Sequence, residues 1–493
     1  MNSTSVLTGK TYTIPDPLGD QEKIDAFIAQ HPNKKVVVVQ GLGFVGAVMS
    51  LICANALTEE YAVIGIDLPR PHAYWKIQEL NNGQFPIVSS DPKVEQFYQQ
   101  ARAKGNLLAT YDSYAYTKAD VVIVDINLDV AKEVGQQKAL EGYSVNLDPF
   151  KKAIYSIGEN CKEDVLVLVE TTVPPGTCRN IVQPILEECF DKRNLNKAYC
   201  IGHSYERVMP GPNYIDSIQN FYRVFSGIDA KSEVAVEAFL RTIISTKDYP
   251  LTKLKGTNAT EMAKVLENSF RAMNIAFMEE WGEFAEEAGV NLYEVVKAIR
   301  MRPTHKNIML PGLGVGGYCL TKDPLLASWA KQELFNSPKG LKQSETAVRI
   351  NDQMPLHAVE LVQEQLGDVT GKEVLLLGVS YLNDVGDTRY TPVELLFEEL
   401  VNAAAKVTLH DPYVNYWEEK DLKVTTDLEQ VLQKQYDAVV ITTMHKEYKD
   451  NALITAYLEN NPQTIVIDTW GIMNLERLEK LPNKIKVLGR GDI

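Results

Sequence analysis

The segment "KKVVVVQGLGFVGAVMSLICANAL" (residues 34–57) constrains the fold more than any other part of the chain. Four consecutive valines read as a strand buried on both faces, a pattern of parallel sheets covered by helices. The strand runs straight into Gly41, Gly43 and Gly46, and then into an apolar helix opened by Phe44 and Val45. Glycines at this spacing permit a tight turn and let backbone N–H groups approach a pyrophosphate, which a helix N-terminus also favours electrostatically. Asp67 closes the next strand, "YAVIGID". Its carboxylate is suited to accept hydrogen bonds from an adenosine ribose, and its charge opposes a 2′-phosphate. The expected cofactor is therefore NAD, with Arg70 the one nearby feature that leaves NADP open. The competing reading is a glycine turn that binds nothing.

The alternation continues through "ADVVIVDI" (119–126), "VLVLVETTV" (165–173) and "YRVFSGI" (222–228), with helical stretches such as 147–158 and 178–190 between. From Thr257 to Arg300 apolar residues recur every three or four positions with no strong breaker before Gly289, which predicts a long helix and a shorter one. At Lys372 a second α/β unit begins, with "KEVLLLGVSY", "AKVTLHDP", "YDAVVITTM" and "QTIVIDTW". The expected class is α/β: two Rossmann-like doubly wound domains joined by a central helical region with a long helix. The expected boundaries are 1–33 for a polar extension, 34–245, 246–350 and 351–493. At 493 residues, several domains are expected in any case.

A net charge of −15 disfavours nucleic acid as a partner. No apolar run long enough to span a membrane and no basic-then-apolar leader is present, so a soluble cytoplasmic protein is expected. The 6 cysteines show neither CxxC nor Cys/His spacing, and no metal site is expected.

One of them, Cys319, lies in "PGLGVGGYCLTKDP" (311–324). Alone it reads more readily as a small buried hydrophobe than as a nucleophile. Gly316 and Gly317 allow close backbone approach to a ligand, Lys322 would favour a thiolate, and Asp323 would orient water. With a dinucleotide turn upstream, such a cysteine suits aldehyde oxidation: a thiohemiacetal loses hydride to give a thioester, which water cleaves. Lys264 and Asn268 are helical i,i+4 neighbours able to stabilise an oxyanion, with Arg271 one position short of a further turn; a solvated helix face is the alternative.

Taken together, "GLGFVG", "LNNGQFPI", "ETTVPPGT", "YERVMPG", "AKVLENSFRAMNIAF", "GLGVGGYCLTKDP", "DTRYTP" and "LGRG" resemble, in order, the motifs of the nucleotide-sugar 6-dehydrogenases over residues 34–493. The resemblance implies an NAD domain, a central dimerisation region and a nucleotide-sugar domain. It implies NAD-dependent four-electron oxidation of a UDP-sugar at C6 to the uronic acid, by a homodimer or dimer-based oligomer. It implies Cys319 as nucleophile, Lys264 and Asn268 at the oxyanion, and Asp323, Thr172 and Glu206 at the catalytic water and reacting carbon. Lys322 falls on the cofactor side, and Arg207, Arg271 and Arg389 on the substrate.

The chain departs from the family pattern in four places. "DINLD" stands for V-P-T-P, "YLNDVGDTR" puts Leu382 at a usual lysine, Tyr205 replaces the proline before Glu-Arg, and Glu279-Glu280 replaces N-E. Glu170 before Thr-Thr-Val resembles the N-acetylhexosamine branch, so UDP-N-acetylglucosamine or UDP-N-acetylmannosamine is expected ahead of UDP-glucose. An alcohol dehydrogenase yielding one NADH, an NAD-retaining epimerase and a nucleotide-sugar sensor are the competing classes.

Overall fold

The computed structural model describes every residue except 17–18, 136–137, 206, 209–210 and 475–479. It divides into two compact units. The first comprises Met1–Val130, Val145–Val265 and Trp329–Pro338, the second Ala131–Ser144, Leu266–Ser328 and Lys339–Ile493.

The first unit opens with a hairpin of β1 (Asn2–Thr4) and β2 (Thr11–Thr13), then helix α1 (Gln21–Ala29). The described residues of 1–33, a range read from the sequence as an extension, are folded onto the unit. Ile14 joins its core, and Ser3 Oγ donates to the Pro71 carbonyl at 2.6 Å while accepting from the Trp75 amide at 2.9 Å. The alternating part runs β3 (Lys35–Gln40), α2 (Phe44–Ala54), β4 (Tyr61–Ile66), α3 (Tyr74–Asn82), α4 (Pro92–Lys104), β5 (Leu107–Thr110) and β6 (Val121–Val124). After the hairpin β7 (Val130–Val134) and β8 (Leu140–Val145) come α5 (Asp148–Asn160), β9 (Leu166–Val169), α6 (Gln183–Lys192) and β10 (Cys200–Tyr205). Then follow α7 (Tyr214–Gln219), β11 (Val224–Gly227), α8 (Ala230–Ile243) and β12 (Thr252–Lys253).

The sheet order is β12-β11-β10-β9-β6-β3-β4-β5, parallel except where β10 meets β11. Strand order reverses at β3, which has β4 on one side and β6 on the other, so the crevice beyond their carboxyl ends is the ligand position of such a sheet. Helix α2 is buried on nearly every side, which is why its sequence is apolar throughout.

Helix α9 (Thr257–Glu287) begins in the first unit and continues from Leu266 in the second, followed by α10 (Leu292–Ile299). The chain then forms α11 (Asp323–Glu333), α12 (Lys342–Leu366), β13 (Glu373–Leu377), α13 (Val393–Asn402) and β14 (Lys406–His410). A short ribbon, β15 (Tyr416–Trp417) and β16 (Leu422–Lys423), precedes β17 (Ala438–Ile441), β18 (Ile465–Asp468) and β19 (Ile485–Val487). The all-parallel sheet has the order β14-β13-β17-β18-β19, with apolar clusters on both faces. Its order reverses at β13, which places the loop after that strand at a second ligand crevice. The β7–β8 hairpin counts almost wholly with this unit: Lys132 Nζ meets both oxygens of Asp352 at 2.7 and 2.8 Å, and the Tyr143 hydroxyl donates to Glu345 at 2.8 Å. Among the described residues no helix is long and apolar enough to cross a membrane.

Candidate active site

In the first unit the dinucleotide turn sits at the reversal point. Gly41 has φ +97°, and a methyl group there would lie 2.1 Å from the Asp125 carbonyl oxygen. One at Gly46 would lie 1.9 Å from the Gly41 carbonyl oxygen. These two glycines are fixed by close packing of strand, turn and helix. Gly43 differs: nothing lies within 4 Å of where its Cβ would stand. As the cap residue of α2 it also brings no side-chain oxygen to the amides of Phe44, Val45 and Gly46. That open face is where a pyrophosphate fits. Asp67 follows β4 and is held by the Leu42 amide at 3.2 Å and the Leu68 amide at 2.8 Å, so its carboxylate stands beside the turn. These residues fit NAD.

Beyond the carboxyl ends of β9, β10 and β6, polar groups gather in the same unit. Thr171 Oγ1 donates to the Val124 carbonyl at 3.0 Å and accepts from the Ile126 amide at 2.8 Å, which ties the segment after β9 that carries Thr172 to the "DINLD" loop. Glu170 and Arg223 form an ion pair at 2.5 Å with side chains 0% and 2% exposed. Burial first, and the positive charges of Lys264 and Arg223 with it, lower the pKa of His203 to about 3, so this imidazole is neutral at physiological pH. Lys264 itself is buried, on α9. Arg207 lies beyond β10, its Nη1 donating to the Tyr222 carbonyl at 3.0 Å. Glu206 lies outside the described residues.

The second unit holds the cysteine segment. Gly317 has φ +79°, and a methyl group there would lie 2.6 Å from the Tyr381 ring; one at Gly316 would lie 2.3 Å from Tyr381 Cβ. The segment is pressed against the loop after β13, and the Gly317 amide donates to the Arg389 carbonyl at 3.1 Å. Cys319 follows in an exposed turn leading into α11, its carbonyl accepting from the amides of Lys322 at 3.2 Å and Asp323 at 2.9 Å. Lys322 Nζ donates to Asp323 Oδ1 at 2.7 Å, and Asp323 Oδ2 accepts from Asn268 Nδ2 at 2.6 Å. The structure thus joins half-buried Asn268 with the buried Asp323 and Lys322 in one polar chain that ends beside the cysteine turn, with the Lys322 ammonium 4.5 Å from the Tyr318 ring centre.

Arg389 is forked onto Asp387 by two bonds of 2.9 and 2.6 Å, a geometry that fixes the plane of the guanidinium. Tyr381 gathers the rest: burial first and then Asp387 push its phenol up to about 12, with Cys319 pushing the same way and Arg389 and Arg271 opposing. Cys319, Arg271 and Arg389 therefore all act electrostatically on one tyrosine.

Sequence reasoning passed over Asp387, Tyr381 and Glu261. Fully buried, Glu261 accepts from the Gly176 amide at 2.6 Å and the Cys178 amide at 2.8 Å, anchoring the "PPGT" turn to α9. Asp387, two residues before Arg389 in "DTR", was the only one with a readable signal. Glu279, one of the family departures, is away from this cluster: burial raises it to about 8, and the groups that act on it are His357, Glu283 and Glu286.

Comparison with known proteins gives a consistent pattern. Residues 34–244, 258–353 and 375–475 match, in order, the NAD-binding, central and UDP-binding domains of the UDP-glucose/GDP-mannose dehydrogenase family. A UDP-N-acetyl-D-mannosamine dehydrogenase of Methanocaldococcus jannaschii is 30% identical over 461 residues, covering 93% of this chain and 97% of that protein. The solved UDP-D-ManNAc dehydrogenase of Pyrococcus horikoshii is similar with a TM-score of 0.76 at 26% identity, over 93% of this chain and 100% of that one. An NDP-N-acetyl-D-galactosaminuronic acid dehydrogenase structure from Methanosarcina mazei Go1 gives 0.75 at 26%, over 95% and 98%.

Proposed function

The chain belongs to the UDP-glucose/GDP-mannose dehydrogenase family and is an NAD-dependent UDP-sugar dehydrogenase, and we propose that it oxidises C6 of UDP-N-acetylmannosamine or UDP-N-acetylglucosamine to the carboxylate through a covalent bond to Cys319. The observation that carries this reading is the Asn268–Asp323–Lys322 chain, buried at Asp323 and Lys322, beside the exposed Cys319 turn. When bound, NAD would supply the hydride acceptor, a separate NAD for each of the two oxidations.

In the first oxidation the C6 hydroxyl loses its proton to a water held by Asp323, and its carbon loses hydride. Lys264 and Asn268 stabilise the developing oxygen charge by charge and hydrogen bonding. The Cys319 thiolate then adds to the aldehyde carbon, and loss of a second hydride from that carbon leaves a thioester. Water oriented by Asp323 attacks the thioester carbonyl, the C–S bond breaks, the thiolate leaves and the attacking water's proton passes to Asp323. Arg389, forked by Asp387, and Arg271 are assigned to the diphosphate, and Arg207 to the sugar-nucleotide. Glu206 is assigned to the reacting carbon. Gly41, Gly43, Phe44, Val45, Gly46, Asp67 and Lys322 are assigned to the cofactor, and Gly316 and Gly317 to close approach of the substrate. The setting proposed is the cytoplasm, where NAD is reoxidised.

The N-acetylhexosamine substrates draw support from relatives named for UDP-N-acetyl-D-mannosamine. A panel of UDP-sugars tests them: kcat/KM is expected to be highest for one of the two N-acetylhexosamines, and a higher value for UDP-glucose would remove the assignment.

A dimer is proposed on a different observation. Leu266, Phe270, Phe277, Trp281 and Phe284 on α9 are 46–63% exposed and recur at helical spacing, an apolar stripe of the kind that a second copy covers. Light scattering is expected to give twice the chain mass, and Trp281→Glu with Phe277→Glu to give the monomer. A monomeric wild-type protein would contradict this.

A further inference from the structure

Tyr205 ends β10 with 3% of its surface exposed, and two cations address its ring. Lys264 Nζ lies 5.6 Å from the ring centre, and the Arg207 guanidinium carbon 5.3 Å. Arg207 Nη2 also donates to the Tyr205 hydroxyl at 3.3 Å. All three residues belong to the first unit. A cation within about 6 Å of an aromatic centre is attracted by the ring quadrupole, the more so when it is shielded from water. Lys264 is so shielded, at 8% exposure. Burial alone pushes an ammonium towards the neutral form, and a ring face opposes this without taking up one of its N–H donors. The hydroxyl, in turn, accepts from the second cation at a defined point. A residue without an aromatic ring at 205 cannot do the first, and one without a hydroxyl cannot do the second.

We propose that Tyr205 is a positioning residue for the dehydrogenase reaction: its ring sets the Lys264 ammonium, and its hydroxyl sets the Arg207 guanidinium. This rests on the assignment of Lys264 to the oxyanion and of Arg207 to the substrate. The two halves act on different kinetic quantities. Lys264 is used as oxygen charge develops and so governs kcat, whereas Arg207 grips the ground-state nucleotide sugar and so governs KM.

The test uses the full-length enzyme with saturating NAD and the best UDP-sugar of the panel, comparing Tyr205→Phe and Tyr205→Leu, with far-UV circular dichroism and thermal melting as controls for folding. The Leu variant is expected to lose about tenfold in kcat. The Phe variant, which keeps the ring, is expected to recover kcat to within about twofold of wild type while KM for the UDP-sugar rises about fivefold. If the Leu variant does not fold, Tyr205→Met, which also lacks an aromatic face, carries the same expectation. Wild-type kcat in the Leu and Met variants would overturn the proposal, as would a Phe variant as slow as Leu. Lys264→Ala separates the underlying reading from this one. If it turns over at the wild-type rate, the assignment of Lys264 fails; if it is slow while Tyr205→Leu is not, only the role of Tyr205 fails.

Discussion

Cys319→Ser is expected to lower steady-state turnover by about 10³-fold or more and to cut the yield from two NADH per sugar towards one. A serine hydroxyl with its ordinary pKa is a far weaker nucleophile than a thiolate. Removal of the first hydride does not require the thiol, so the aldehyde accumulates and is trapped by a hydrazine reagent. The exposed turn that carries Cys319 tolerates the substitution structurally, so the thermal midpoint stays near that of the wild type. A variant that still delivers two NADH at the unmutated rate would remove the covalent step.

Asp323→Asn is the second large effect and acts through both chemistry and stability. Asp323 is fully buried and bonded on one oxygen by Lys322 and on the other by Asn268. Neutralising it leaves the buried Lys322 ammonium without its counter-charge, which costs about 3 kcal/mol or more. It also removes the carboxylate assigned to hold the water that takes the first proton and to accept the proton of the water that cleaves the thioester, a contribution of about 10²–10⁴-fold. The expected outcome is a folded enzyme with a lowered melting temperature that shows a burst of NADH and then stalls with sugar bound to protein. Intact-mass spectrometry of the stalled enzyme detects the adduct. Full turnover in Asp323→Asn would show that the Asn268–Asp323–Lys322 chain is structural only.

How much of this was legible before the structure depends on how local each feature is. The β3–α2 turn and Asp67 were readable because strand, glycines, helix and acid follow one another within one βαβ unit. The long helix α9 was readable from its periodicity, and the strands of the second unit from their apolar runs. Strand β10 escaped because "CIGHSY" carries glycine, histidine and serine through a fully buried strand. The N-terminal hairpin escaped because its anchors are on α3 and in the loop before it, and α1 because its anchors are Tyr114 and Lys118, far along the chain; no local pattern announces either.

The same logic divides the site. Cys319, Lys322 and Asp323 share one segment, and Lys264 and Asn268 share one helix turn, so both sets could be nominated in advance. That Asn268 closes on Asp323, that Asp387 forks Arg389, that Glu261 holds the "PPGT" turn and that Tyr205 faces two cations are contacts between residues brought together only by folding, or, for Asp387, by a loop conformation the sequence does not display. Tyr205 is the plainest case: in the sequence it was a departure from a proline, and only its place beside Lys264 and Arg207 gives it a role.

The central claim is that one active site carries a sugar from alcohol to acid without releasing the aldehyde. It is tested most directly by counting NADH formed against UDP-N-acetylhexosamine consumed, with the wild-type enzyme and limiting sugar in the presence of an aldehyde trap. Two NADH per sugar and no trapped aldehyde are expected; one NADH per sugar, with the aldehyde recovered in the trap, would rule out oxidation of the sugar to the acid without release of the aldehyde.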